Sequence, residues 1–245
     1  MFPIRDINPT RVRPIVTWAI IAANVFVFFA LQRPADPEAG AEFVYRNAVI
    51  ACEVVTGQPL TLDEIQTGVC TATPGTPVFP DKNILLAAFA TMFLHASVFH
   101  LLGNMWFLWI FGNNVEEAFG RLGYLAIYLG SGIAGTLAFV LANPTSTVPL
   151  IGASGAIAGI LGAYAVLFPT HDVLTLVVVF FVPVPAIVFL GIWFLSQFGL
   201  GDPGVAWQAH VGGFVFGALI AATMRRRLLA RIAAIHSSPR PLPVR

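Results

Sequence analysis

Charge is what this chain has least of. Only 10% of its 245 residues are Asp, Glu, Lys or Arg, where a soluble domain carries about 25%. With 57% hydrophobic residues and a mean hydropathy of +0.81, that scarcity excludes an ordinary soluble fold. It indicates an all-α polytopic membrane protein built as one membrane domain. The net charge of +1 leaves no electrostatic footprint for nucleic acid. Cysteines are two, Cys52 and Cys70, and there is no zinc-type cluster or phosphate-cradling glycine loop. A metal site from His95, His100 and His210 lacks any carboxylate or cysteine at suitable depth, and no residue pattern calls for a cofactor. An internal repeat is absent too, which argues against a small transporter.

What is there is a series of apolar runs. Residues 1–13 are polar and carry Arg5, Arg11 and Arg13. Pro14 to Leu31 is just long enough to span a bilayer core, at about 20 residues for 30 Å. Basic residues precede it as in a signal peptide, but no clear small-x-small site follows, so it reads as a retained first helix. Residues 32–83 form one long polar segment holding both cysteines, and a loop of that length is expected to have structure or function of its own. A cysteine pair there fits an oxidising compartment without proving a disulfide.

Residues 84–111 are too long for one upright span. His95-Ala96-Ser97 breaks the run, and Ser97 is a credible N-cap for a helix beginning at Val98. The stretch 84–94 then reads as an interfacial or re-entrant piece and about 98–116 as the second span. Leu122 to Leu141 is the third span and 150–167 the fourth, short and rich in glycine. The fifth is 173–195, kinked or irregular at Pro183 and Pro185. Asn143-Pro144-Thr145 and Asp202-Pro203-Gly204 read as turns. The sixth span, about 205–224, ends in Arg225-Arg226-Arg227, and 225–245 reads as a basic, disordered tail. The membrane domain is thus 14–224.

Six spans place both termini on one side. Arg5, Arg11, Arg13, Arg121, Arg225, Arg226, Arg227, Arg231, Arg240 and Arg245 fall there, against Arg33, Arg46 and Lys82 opposite. The positive-inside rule then puts both termini in the cytoplasm of a cell (plasma or inner) membrane, with the long loop 32–83 outside.

This topology brings four polar residues to one depth. His100 and Asn104 sit one turn apart near the start of the second span, Ser154 at the start of the fourth, and His210 about five residues into the sixth. At 1.5 Å per residue all four lie within roughly 10 Å of the outer boundary. Intramembrane ionisable groups usually face a bundle interior or water cavity. Gly155, Gly159 and Gly162 on one helix, with Ala209, Gly213 and Gly217 on another, permit close approach. A histidine base could then activate the Ser154 hydroxyl. The Ser154 N–H with the His100 and Asn104 side chains could stabilise an oxyanion.

These residues carry a family resemblance. His95-Ala96-Ser97-Val98-Phe99-His100-Leu101-Leu102-Gly103-Asn104, Gly152-Ala153-Ser154-Gly155 and Ala209-His210-Val211-Gly212-Gly213, in this order, resemble the rhomboid intramembrane serine proteases over about 14–224. The resemblance implies a rhomboid-like bundle of six transmembrane helices with a long first outer loop. It implies a Ser–His dyad without a catalytic Asp, Ser154 being nucleophile and His210 general base, later acid. His100, Asn104 and the Ser154 amide would form the oxyanion hole, supported by Gly152, Gly155 and Gly213, and Glu116 would be structural. The implied partners are transmembrane protein substrates in a lipid bilayer, cut near the outer face. A non-catalytic rhomboid-like binder of membrane proteins is the alternative. Two features depart from some members: Leu86 and Ala87 stand where a Trp-Arg pair is found, and Ala158 where a tyrosine stacks on the catalytic histidine. The group that orients His210 is left unassigned. Trp106, Trp109 and Trp193 read as packing or interface residues, His95 as a loop-packing residue, and His171 and His236 as ordinary loop and tail positions.

Overall fold

Apolar runs that cannot rely on water must satisfy their own backbone, and helices do so within one segment. In the computed structural model, which describes residues 1–32, 35–71, 75–198 and 205–237, three helices are long and apolar enough to cross a membrane. They are Ile15–Gln32, Val98–Ala142 and Trp207–Ser237. The first comprises α1 (Ile15–Phe26) and a π-helical continuation, Val27–Gln32. The second, α6 (Val98–Ala142), is two limbs meeting at Gly120, whose φ of 73° no continuous helix adopts. Those limbs correspond to the second and third apolar runs. Ser97 caps α6, its hydroxyl accepting from the His100 N–H at 3.1 Å, as its place before Val98 predicts.

The segment between α1 and α6 has structure of its own. It holds α2 (Pro37–Asn47), β2 (Val49–Ile50), α3 (Ala51–Thr56), α4 (Leu62–Thr67) and α5 (Ile84–Ala90), followed by a 3-10 turn at Thr91–Phe93. The Cys52 and Cys70 sulfurs are bonded. Lys82 and Glu53 form a buried ion pair at 2.5 Å, and the Lys82 ammonium also donates to the Tyr45 carbonyl. Burial pushes the Glu53 carboxyl up and the Lys82 ammonium down, each opposed by the other's charge.

Past α6 the chain pairs β3 (Pro149–Leu150) with β2 and enters α7 (Ser154–Leu167). The fifth apolar run departs from expectation. Only its second half is helical, as α8 (Ala186–Ser196). Its first half is a hairpin of β4 (Asp172–Val177) and β5 (Phe180–Pro185), and β4 also pairs with the N-terminal strand β1 (Phe2–Asp6). Pro183 and Pro185 explain the change. Proline removes a helical hydrogen bond but is tolerated on an edge strand, and β5 is the edge of the order β1-β4-β5. The polar N-terminus is therefore partly sheet.

The last helix, α9 (Trp207–Ser237), also overruns expectation, continuing beyond Arg225-Arg226-Arg227 instead of giving way to a disordered tail. Arg, Leu and Ala are strong helix formers, and Leu228 is buried. The Asp202-Pro203-Gly204 turn and residues 238–245 lie outside the described residues. α6, α7 and α9 pack against one another, with Phe111, Tyr124, Tyr128, Ile160 and Tyr164 buried in the core they share. Glu116, buried at the end of the first limb of α6, accepts from the Val16 and Thr17 N–H groups and the Thr17 hydroxyl at 2.8–3.0 Å. It thereby caps α1, which has no side-chain cap of its own.

Candidate active site

Glycines let two helices approach until their backbones nearly touch, and α7 and α9 do so. A Cβ added at Gly213 would overlap the Gly155 carbonyl, and one at Gly217 the Gly159 carbonyl. Gly155 itself faces the Ala209 carbonyl. This contact sets the His210 imidazole against the first residue of α7. His210 Nε2 lies 2.7 Å from Ser154 Oγ.

The other expected residues converge on the same place. His100, Asn104, Gly152, Gly155, Ser154 and His210 all line one cavity of about 1150 Å³. Gly152 has a φ of 128°, and a Cβ there would stand 2.9 Å from His100 Cε1 and 3.3 Å from Ser154 Oγ. The Ala96 N–H reaches His100 Nδ1 at 3.4 Å, which leaves Nε2 as the nitrogen able to carry a proton, and a Cβ at Gly152 would stand 3.0 Å from it. Asn104 Nδ2 is buried without a partner among the described residues. Ser154, as the first residue of α7, contributes an N–H that has no acceptor within its own helix. The wall of the cavity thus offers a hydroxyl beside an imidazole and three N–H donors.

Behind the pair lies a residue that sequence reasoning passed over. Gln197, at the end of α8, places Oε1 2.7 Å from His210 Nδ1, while its Nε2 donates to the Trp193 carbonyl at 2.9 Å. Trp193, expected only to pack, lies beside the imidazole with ring centroids 6.2 Å apart and planes 32° off parallel. Ala158 is fully buried. His95 is buried, as expected of a loop-packing residue, and its main chain exchanges two hydrogen bonds with the Gln32 amide. His236 is no bystander: its Nε2 meets Glu117 Oε1 at 2.7 Å.

Comparison with known proteins places this geometry in context. Residues 83–227, more than half of the chain, match the Rhomboid domain. The chain is 33% identical over 147 residues to Rhomboid protein 1, mitochondrial, of Saccharomyces cerevisiae, covering 55% of this chain and 40% of that one. It is 31% identical over 140 residues to Presenilin-associated rhomboid-like protein A, mitochondrial, of Danio rerio, covering 56% and 37%. Rhomboid protease GluP of Bacillus subtilis is 33% identical over 132 residues, covering 54% and 24%. The matched stretches span less than half the length of these relatives. On the extent of the domain match, this membrane protein belongs to the rhomboid family.

Proposed function

We propose that the protein is an intramembrane serine endopeptidase that cleaves transmembrane helices of membrane proteins with a Ser154–His210 dyad. The observation that carries this is the 2.7 Å contact between His210 Nε2 and Ser154 Oγ inside a cavity lined by His100 and Asn104. In acylation, Ser154 Oγ bonds to the scissile carbonyl carbon as its proton passes to His210 Nε2. The carbonyl oxygen takes the negative charge and is met by the Ser154 N–H, the His100 Nε2–H and Asn104 Nδ2. Collapse breaks the C–N bond, and His210 returns the proton to the leaving amine. Water then attacks the acyl-enzyme by the same route, releasing the acid and restoring the serine. Three donors in place before charge develops are worth most where water is scarce.

The arrangement we infer in the bilayer has six spans: α1 with its π-helical end, the two limbs of α6, α7, α8 and α9. The basic termini face the cytoplasm of a cell membrane, and the bonded Cys52–Cys70 loop faces an oxidising exterior. The cavity then opens near the outer face.

Ser154→Ala and His210→Ala should each abolish cleavage of a transmembrane reporter in proteoliposomes, with thermal stability unchanged. A fluorophosphonate probe should label the wild type and spare Ser154→Ala. Cleavage by either variant at the wild-type rate would refute the dyad. A wild type that binds the reporter without cutting it would favour a non-catalytic rhomboid-like binder.

A further inference from the structure

A histidine can serve as base toward Ser154 only in the tautomer that leaves Nε2 without a proton. An imidazole carries its single proton on either nitrogen, so something must choose. We propose that Gln197 is the positioning residue that makes this choice, holding the His210 proton on Nδ1. This rests on the proteolytic role of the dyad proposed above.

The chain of cause begins in the backbone. At its end α8 tightens, and the Gln197 N–H bonds the Phe194 carbonyl three residues back at 3.1 Å. In a continued helix that N–H would go to Trp193, four residues back. The Trp193 carbonyl is thereby released, and it accepts from the Gln197 side chain at 2.9 Å and from the Ser196 hydroxyl at 2.6 Å. A carbonyl oxygen only accepts, so the amide nitrogen of Gln197 must face it. The Ser196 hydroxyl, 3.2 Å away, holds the same nitrogen. The other end of the amide, Oε1, then points at His210 Nδ1, 2.7 Å distant. Oε1 also only accepts, so Nδ1 carries the proton. The Nε2 lone pair is left facing Ser154 Oγ, also 2.7 Å away.

The same contact fixes the plane of the ring. Ala158 offers no aromatic face for that purpose, and the Trp193 indole closes one side of the imidazole at 6.2 Å. Among the described residues lining the cavity, His100 and His210 are the only ionisable side chains, so no carboxylate competes with Gln197.

Two measurements on full-length protein in nanodiscs test this. The first is nitrogen-15 histidine NMR, which reads the tautomer without requiring cleavage. In the wild type and in Ser154→Ala, His210 should show a protonated Nδ1 and a bare Nε2, and in Gln197→Leu that single tautomer should be lost. Bare Nδ1 in the wild type, or an unchanged His210 pattern in Gln197→Leu, overturns the proposal even if the protein cleaves nothing. The second is kinetic. Gln197→Leu should lower kcat about 10- to 100-fold with KM nearly constant, between the effect of one neutral hydrogen bond and the roughly 10⁴-fold cost of a wrong tautomer in a triad. Gln197→Glu keeps the acceptor, so it should retain kcat at high pH. Its negative charge stabilises the imidazolium, so the acid limb of the pH–rate profile should move to higher pH. Wild-type kcat in Gln197→Leu, or an acid limb of Gln197→Glu superimposable on the wild type, overturns the positioning role. Loss of activity in Ser154→Ala with these results would leave the dyad standing without Gln197.

Discussion

Gly152 combines two demands that no other residue meets. Its φ of 128° disfavours any side chain, and a methyl group there would press on His100 and on the Ser154 hydroxyl. Gly152→Ala should therefore displace one oxyanion donor and cut kcat about 10²-fold, the scale of a 1 Å misplacement, in a protein that still folds. Asn104→Ala removes a donor outright and should cost about 10²–10³ in kcat. Reporter cleavage beside a thermal-shift curve for each variant checks both. Ser154, His210, His100 and Asn104 are legible in the sequence because each lies near a helix start that hydropathy and capping reveal. Gln197 is not. It is thirteen residues from its partner, at the end of a uniformly apolar run, and its amide orientation depends on a carbonyl released only when that helix tightens.

Among the elements, the α7–α9 contact is the one on which the proposed dyad depends. Gly213→Val would drive a side chain into the Gly155 carbonyl, at the 1–3 kcal/mol typical of overpacking, and would separate His210 from Ser154. A lower melting temperature together with lost cleavage is expected. Gly191→Ala is the control, since nothing lies within 4 Å of that position, and it should match or slightly exceed wild-type stability. In the segment between α1 and α6, Glu64 completes the capping box of α4. The Thr61 N–H bonded to its carboxylate is the largest reason its pKa falls from 4.5 to about 2, with the Thr71 N–H and both hydroxyls adding to it against burial. A depressed carboxylate stabilises the fold fully above its ordinary value and loses that contribution as pH falls toward the lowered one. Proteolysis of 51–71 should accelerate as pH drops from about 4.5 toward 2, and Glu64→Gln should flatten that dependence. At this scale the small-residue spacing on α7 and α9 foretold the close contact, whereas hydropathy could not tell the β4–β5 hairpin from a span. Both are apolar; Pro183 and Pro185 disfavour a helix there, but only the pairing of β4 with β1, some 170 residues earlier in the chain, makes the segment part of a sheet.

Across the whole molecule, Glu117 ties three distant parts together. Its carboxylate accepts from the Arg11 and Val12 N–H groups at 2.6 and 2.7 Å and meets His236 at 2.7 Å, while its carbonyl accepts from Arg231. Glu117→Ala should leave those half-buried N–H groups to water, at less than the roughly 1–3 kcal/mol each that a fully buried orphan costs. It should expose residues 1–13 to protease without abolishing cleavage of a reporter, and limited proteolysis with mass spectrometry would show this. By itself the sequence determined the membrane class, the approximate starts of the apolar helices other than α8, the nucleophile and base candidates and the glycines that bring their helices together. Each of these follows from local composition and from the fixed rise of a helix. Tertiary structure alone decided the continuation of α9 to Ser237, the N-terminal strand in a sheet, the Cys52–Cys70 pairing and the Gln197–His210 contact. The sheet joins segments some 170 residues apart, while the Cys52–Cys70 and Gln197–His210 contacts, 18 and 13 residues apart, depend on how the chain between them turns; a backbone or side-chain group chooses among acceptors only once packing has excluded water and brought one of them within reach.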